Sequence, residues 1–219
     1  MKTIVIGARG GIGSAFVSAL TARGTPPIAL SRPELDLIDE ASIAASAERC
    51  GDDIDLIIDA TGFLHGDGMM PERSWKQLDP AHLARNFVIN AIGPALLMKH
   101  FLPRLARDRR AVFATLSARV GSITDNNLGG WYGYRAAKAA LNQIVRTASI
   151  ELRRQSKQSI CVALHPGTVS TDLSAPFSKS GLDVRDPAIA AERMLVVIDA
   201  LTPAQSGLLI DHHGLVIPF

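Results

Sequence analysis

Unbroken apolar runs of strand length recur along the chain, separated by stretches in which apolar residues return every three or four positions. Residues 3–6, 27–31, 54–59, 111–117, 159–165 and 207–211 read as strands. Most are continuous apolar runs, the pattern of strands covered on both faces. Between them, residues 11–23, 41–50, 80–107, 132–157 and 187–201 carry helical patterns. Strand–helix alternation from end to end predicts an α/β fold, one doubly wound parallel sheet with helices on both faces. No internal repeat, low-complexity tract or linker divides residues 1–219, so a single domain is expected.

Composition excludes several classes. With 47% hydrophobic and 20% charged residues the chain is neither disordered nor fibrous. A chain of 219 residues buries a core without disulfides or a structural metal. Lys and Arg number 23 against 21 Asp and Glu, and the basic residues are scattered. The densest run, Arg107, Arg109 and Arg110, suits a helix-end cap, so no nucleic-acid partner is expected. Cys50 and Cys161 show no metal-ligand spacing. His212 and His213, adjacent on a strand, would point to opposite faces, so no metal site is expected. The longest uncharged stretch, residues 158–171, contains His165, Pro166 and Gly167 and falls short of the roughly 18 apolar residues a membrane span needs. The apolar start, residues 3–6, is too short for a signal peptide, and the chain reads as cytoplasmic.

In such a sheet, ligands bind beyond the carboxyl ends of the strands, near the point where strand order reverses. After the first strand comes Gly7-Ala8-Arg9-Gly10-Gly11-Ile12-Gly13, leading straight into a helix. Glycines there let backbone N–H groups and the helix dipole face a pyrophosphate, so a dinucleotide cofactor is the favoured ligand over a merely flexible turn. The second strand ends Ala29-Leu30-Ser31-Arg32, with no carboxylate at its tip for the ribose hydroxyls of NAD. Arg32, with Arg9 converging on it, suits a 2′-phosphate and so NADP; the alternative is two ordinary surface arginines. Asp36, followed by Leu37, either reaches the adenine amino group or starts a helix.

Tyr134 and Lys138 stand four apart at the start of a helix, on one face of it, whereas Tyr132 has Ala136 at that offset. Ser117 ends a predicted strand at the same sheet edge. A phenol near pKa ~10 is a poor acid–base group at neutral pH. An ammonium ~4 Å away, at an effective dielectric of ~20, favours phenolate by up to ~4 kcal/mol. Lys138, helped by a positive nicotinamide, is therefore expected to draw Tyr134 towards operating pH.

These motifs, in this order over essentially the whole chain, resemble the short-chain dehydrogenase/reductases. Ser-Ala-Arg-Val-Gly-Ser at 117–122 and the ending Gly-Leu-Val-Ile-Pro-Phe at 214–219 look most like the family's C-factor-like branch. The resemblance implies a Rossmann-type domain with Gly7, Gly11, Ile12 and Gly13 in the cofactor loop and Ser117, Tyr134 and Lys138 in catalysis. It also makes Asn90 the support of a water-mediated proton relay. His165-Pro166-Gly167-Thr168-Val169-Ser170-Thr171 resembles the segment closing over nicotinamide, with contacts from Pro166, Gly167, Val169 and Thr171. Where the family usually has Asn-Asn-Ala-Gly, this chain has Asp59-Ala60-Thr61-Gly62, so only Gly62 carries over as a cofactor contact. The short span from Arg32 to Asp36 implies a strand missing at that edge.

The implied activity is hydride transfer between NADP(H) and a small carbonyl or alcohol. The segment from Asp172 to Pro187, with Leu173, Pro176, Phe177 and Leu182, would form an apolar substrate lid. Trp75, Trp131, Met69 and Met70 are expected at a pocket rim or an interface. Ala136, Ala137, Ala139 and Ala140 suit close helix contact, and the family pattern implies a homodimer or homotetramer packed on this helix. The rival reading is a cofactor-binding regulatory or signalling protein with vestigial chemistry; intact Ser117, Tyr134 and Lys138 favour the enzyme.

Overall fold

The structure, a computed structural model, describes residues 1–66, 68–177 and 184–219. Its strands are β1 (Thr3–Ile6), β2 (Ile28–Leu30), β3 (Leu56–Asp59), β4 (Ala111–Leu116), β5 (Ser159–His165), β6 (Thr168–Val169), β7 (Val184–Arg185), β8 (Leu209–Asp211) and β9 (Val216–Ile217). Its α-helices are α1 (Gly11–Ala22), α2 (Glu40–Cys50), α3 (Pro80–Phe87), α4 (Gly93–Phe101), α5 (Tyr132–Gln155) and α6 (Pro187–Ala200).

Seven strands form the central sheet in the order β2-β1-β3-β4-β5-β8-β9. All neighbours run parallel except β8 and β9. The period-two alternation of strand side chains divides the core. Ile4, Ile6, Ile57, Phe113 and Cys161 pack on one side with Ile43, Leu97, Phe101 and Leu141 from α2, α4 and α5. Val5, Ile58, Val112, Val162 and Leu164 pack on the other with Phe16, Leu20, Met194 and Ile198 from α1 and α6. Both faces are thereby covered, which is why the strands read as continuous apolar runs.

β1 lies between β2 and β3, so strand order reverses at its carboxyl end, where the glycine turn follows. β2 closes the sheet on that side, consistent with the strand expected to be missing beyond it. Three expectations need correction. The long helix foreseen over residues 80–107 is interrupted by a π-helical turn, Val88–Ile92, and ends in a 3-10 turn, Leu102–Arg104. The sheet is not wholly parallel, because β9 folds back on β8, and β6 and β7 form a separate two-stranded sheet. His212 and His213 sit in the turn after β8, where their rings approach to 4.1 Å, so the opposite-faces argument does not apply to them. Of the arginine run, Arg110 does cap a helix end: it donates to the carbonyls of Ile198 and Leu201 at the close of α6.

Candidate active site

The glycine turn is tight because backbone crowds it. Gly7 has φ +78, and a Cβ there would lie 3.0 Å from the Ala60 carbonyl group. A Cβ on Gly13 would lie 2.1 Å from the Gly7 carbonyl oxygen, so only glycine lets α1 start this close to β1. α1 opens at N-cap Gly10 with no side-chain cap and no acidic residue in its first turn. Its first N–H groups and its positive dipole end thus meet no carboxylate from their own turn, the arrangement that suits a phosphate. Ile12 is half-buried against the core beneath α1.

Gly7, Arg9, Arg32, Asp36, Leu37 and Gly62 line one cleft of about 540 Å³. Arg9 donates through Nη1 to the Arg32 carbonyl at 2.8 Å, and its backbone N–H donates to Ser31 Oγ at 3.1 Å. Both arginines are exposed at the cleft rim. Asp36 does not start a helix; Asp39 caps α2, accepting from the Ala41 N–H at 3.0 Å, while Asp36 Oδ1 accepts from Ile38. Leu37 packs where a Cβ on Gly93 would stand.

Pro166, Gly167, Val169 and Thr171 lie outside that cleft, on the segment after β5. Gly167 has φ +81 and packs against Arg185 and His212, and Val169 is buried in β6. The Thr171 side chain reaches the start of α1, since a Cβ on Gly11 would meet its Cγ2 at 2.5 Å. The segment therefore closes on the glycine turn.

Beside the cleft, the ends of β3 and β4 meet α5. Buried Asp59 accepts from Thr61 N–H, Thr61 Oγ1 and Thr115 Oγ1 at 3.0, 2.6 and 2.7 Å. Burial raises its pKa against those bonds and the Lys138 charge. Lys138 is itself buried, donates to the Leu116 carbonyl at 2.8 Å, and stands 5.8 Å from the centre of the Tyr134 ring. Burial brings Lys138 down to about 8, partly offset by Asp59. Burial pushes the Tyr134 phenol up to about 12. The expectation that Lys138 draws Tyr134 towards neutrality is thus not met by the protein's own groups: the ammonium stands over the ring, 5.8 Å from its centre, and burial outweighs it. Ser117 donates through Oγ to Asn142 Oδ1 at 2.7 Å, and Asn142 donates to the Gly121 carbonyl at 3.3 Å. Asn90, in the π-helical turn, clasps Phe63, accepting from its N–H at 3.0 Å and donating to its carbonyl at 2.7 Å.

A family model described as enoyl-(acyl carrier protein) reductase matches residues 17–200. The 1-hydroxy-2-glutathionyl-2-methyl-3-butene dehydrogenase of Rhodococcus sp. (strain AD45) is 32% identical over 223 residues, spanning 94% of this chain and 95% of that protein. The chain belongs to the short-chain dehydrogenase/reductase family. Within it, the C-signal protein of Myxococcus xanthus is 41% identical over 143 residues, 65% of this chain and 81% of that one. The crystal structure of NADPH-bound carbonyl reductase from chicken fatty liver superimposes with TM-score 0.86 at 27% identity, covering 100% of this chain and 98% of that one.

Seen as a family member, the site holds two residues that sequence reasoning passed over. Asn142 continues the Tyr134–Lys138 stripe by a further four residues, a spacing that signals a third polar group on the same face. Glu72, buried under the start of α5, has no local signal at all. At the start of α5, Trp131 lies edge-on to Tyr134 and to Phe177, at ring separations of 6.2 and 5.1 Å. Phe177 in turn meets His65 at 5.5 Å, and His65 Nε2 lies 3.1 Å from the Asp172 carbonyl oxygen. Trp75 and Met70 are exposed on the loop before α3. Leu182, foreseen in the lid, lies outside the described residues. No helix among the described residues is long and apolar enough to cross a membrane.

Proposed function

We propose that this oxidoreductase transfers hydride between NADP(H) and a small carbonyl or alcohol, with Tyr134 as general acid and base. What carries this reading is the meeting of Ser117, Tyr134 and Lys138 at the ends of β4 and α5, beside a glycine turn that only a small backbone approach can fill. The NADPH-bound state of the carbonyl reductase from chicken fatty liver supports the cofactor, as do Arg9 and Arg32 at the cleft rim.

Gly7, Gly11 and Gly13 with the start of α1 would hold the pyrophosphate, Arg9 and Arg32 the 2′-phosphate. Asp36, Leu37 and Gly62 would face the adenosine half, and Pro166, Gly167, Val169 and Thr171 the nicotinamide half. The bound cofactor supplies the hydride and, oxidised, a positive charge near the phenol. In the reductive direction Tyr134 Oη gives its proton to the carbonyl oxygen as that oxygen becomes negative. A hydroxyl carries one proton, so Ser117 donates to the same oxygen only after turning from Asn142. Lys138 holds the ribose and brings a charge that offsets the cost of phenolate, and Asn90 supports proton return towards Lys138. Trp131 and Phe177 give the substituent side an apolar wall.

Assembly as a homodimer or homotetramer belongs to the same reading, with one revision. Ala137 is fully buried within its own chain and takes no part; the face on offer is the groove of about 480 Å³ between α4 and α5, lined by Ala95, Leu102, Ile144 and Ala148. A signalling role with vestigial chemistry gains only from the likeness to the C-signal protein.

The test is Tyr134→Phe, which keeps the ring packing and removes the proton. NADPH affinity is expected to stay, and carbonyl turnover to fall by ~10²–10⁴. Equal turnover by the two proteins overturns the tyrosine mechanism. NADPH binding by wild type with no reduction across a broad carbonyl panel favours the signalling reading.

A further inference from the structure

α5 carries Tyr134 and Lys138, yet its own sequence does not cap it. Its N-cap residue, Trp131, has φ 51 in the left-handed region and offers no side-chain cap. The orphan N–H groups of a helix start must bond to something when enclosed. Here two N–H groups at the start of α5 bond to a single residue, Glu72, 61 positions before Gly133. The Glu72 carboxylate accepts the Gly133 N–H at 3.1 Å through Oε2, and the Glu72 carbonyl accepts the Trp131 N–H at 2.5 Å. Gly133, the residue immediately before Tyr134, is thereby gripped from outside the helix.

The fit is specific. A Cβ on Gly133 would lie 3.0 Å from Glu72 Oε1 and 3.0 Å from Asn86 Nδ2, so glycine is what lets the carboxylate in. Glu72 is only 2% exposed, and burying a carboxylate to fill space is a poor use of one. His82 Nδ1 stands 3.4 Å from Oε1. His82, Asn86 and Asn90 follow one another at four-residue spacing, and Asn90 Nδ2 donates to Asn86 Oδ1 at 3.3 Å. The same polar face thus joins the grip on α5 to the residue that clasps Phe63.

We propose that Glu72 is a positioning residue that sets the Tyr134 phenol against the substrate oxygen by holding the first turn of α5. This inference rests on Tyr134 as the proton donor. It predicts that Glu72→Ala lowers kcat about 10²-fold while NADPH Kd is unchanged, because a misplacement of about 1 Å at the reacting group costs that much. Glu72→Gln should recover most of that loss, since its amide oxygen can take the Gly133 N–H and its NH₂ can face His82. Should Glu72→Ala fail to fold, Gly133→Ala reports on the same contact by pushing the carboxylate away. It should lower kcat as Glu72→Ala does, and combining it with Glu72→Gln should cost no more than Gly133→Ala alone.

The experiment is steady-state reduction of a panel carbonyl by each purified variant, with NADPH Kd from fluorescence titration and with Tyr134→Phe alongside. Wild-type kcat in Glu72→Ala, or in Gly133→Ala where the first does not fold, overturns the proposal; if Tyr134→Phe is then inactive, the tyrosine reading stands. Parallel loss of kcat and NADPH affinity, or no recovery in folded Glu72→Gln, also overturns it, since either marks a general structural role. Full activity in Tyr134→Phe removes the tyrosine reading and this inference with it.

Discussion

At the glycine turn the candidate site is made of backbone: Gly7 and Gly13 are packed against peptide groups, and the charged side chains Arg9 and Arg32 stand exposed at the rim. At the ends of β4 and α5 it is made of enclosed side chains, and each of Ser117, Lys138 and Asp59 is fixed by a bond to another element or another strand. The first region needs shape and gains little from any one side chain. The second needs charges held out of water, and pays for them in desolvation that displaces both Lys138 and Tyr134 from their ordinary pKa values. A substitution should therefore act through sterics in one region and through protonation in the other.

The largest effect expected on the backbone side comes from Gly13→Ala. Its Cβ would stand 2.1 Å from the Gly7 carbonyl oxygen and 2.8 Å from the Gly7 carbonyl carbon, and neither atom belongs to a side chain that can swing aside. Overpacking of this kind costs typically ~1–3 kcal/mol or more, and relief requires α1 to move off the turn. NADPH binding should fall below detection in a fluorescence titration, together with a lowered urea midpoint. Gly24→Ala is the matched control, because a Cβ at Gly24 meets nothing within 4 Å although its φ of +76 is strained; it should cost stability alone. Retained NADPH affinity in Gly13→Ala would mean the turn does not hold the phosphates.

The same contrast explains what could be read from the sequence. The glycine turn is local: its residues are contiguous, and strand, turn and helix announce themselves within one short segment. The strands and most helix spans were legible because burial on both sheet faces leaves unbroken apolar runs. Tyr134 and Lys138 were legible because helical spacing places them on one face. What holds them in place was not. Glu72 reaches Gly133 across a long sequence separation, and Lys138 leans on the backbone carbonyl of Leu116, which any residue would supply. The π-helical turn at Val88–Ile92 also left no mark, since its apolar pattern runs on smoothly into α4. The burial that raises the Tyr134 phenol was not legible for a related reason: spacing along a helix gives proximity but says nothing of enclosure.

Enclosure itself makes the second prediction. Between pH about 8 and the ordinary lysine value of 10.5, folded Lys138 holds fewer protons than unfolded Lys138. Stability therefore rises with pH across that window, by up to ~3 kcal/mol at 1.36 kcal/mol per pKa unit. Tyr134 works in the opposite direction, because the folded phenol keeps its proton to about 12 and the unfolded one loses it near 10.0. Its contribution is complete below 10 and is lost as pH climbs towards 12. Buried Cys161, whose thiol is pushed from 9.0 up to about 12, opposes the rise from pH 9 upward, so urea midpoints should climb from pH 8 to about 9, level off to about 10 and then decline. Lys138→Met should abolish the climb and keep the decline. A climb that persists in Lys138→Met would assign it elsewhere and would place Lys138 in contact with water.

The smallest effect belongs to the exposed arginines, where the two regions should differ most in kind. Arg32 stands just beyond the end of β2, its carbonyl held by Arg9 Nη1, and among the described residues neither arginine pairs with a carboxylate. A phosphate at the cleft rim would be reached by both. Charge-assisted contacts are worth ~1–3 kcal/mol when well formed, but exposure and screening by salt favour the lower end. Arg32→Ala should therefore weaken NADPH binding about tenfold, equivalent to ~1.4 kcal/mol, and leave NADH binding where it was. Because the contact is electrostatic, the preference of wild type for NADPH should shrink as salt is raised, and that of Arg32→Ala should respond less. Neither the urea midpoint nor its pH profile should change, since an exposed side chain gives up little water on folding. Equal affinity of wild type for the two cofactors, or equal weakening of both in Arg32→Ala, would remove the 2′-phosphate from the rim and leave Arg9 and Arg32 as ordinary surface residues.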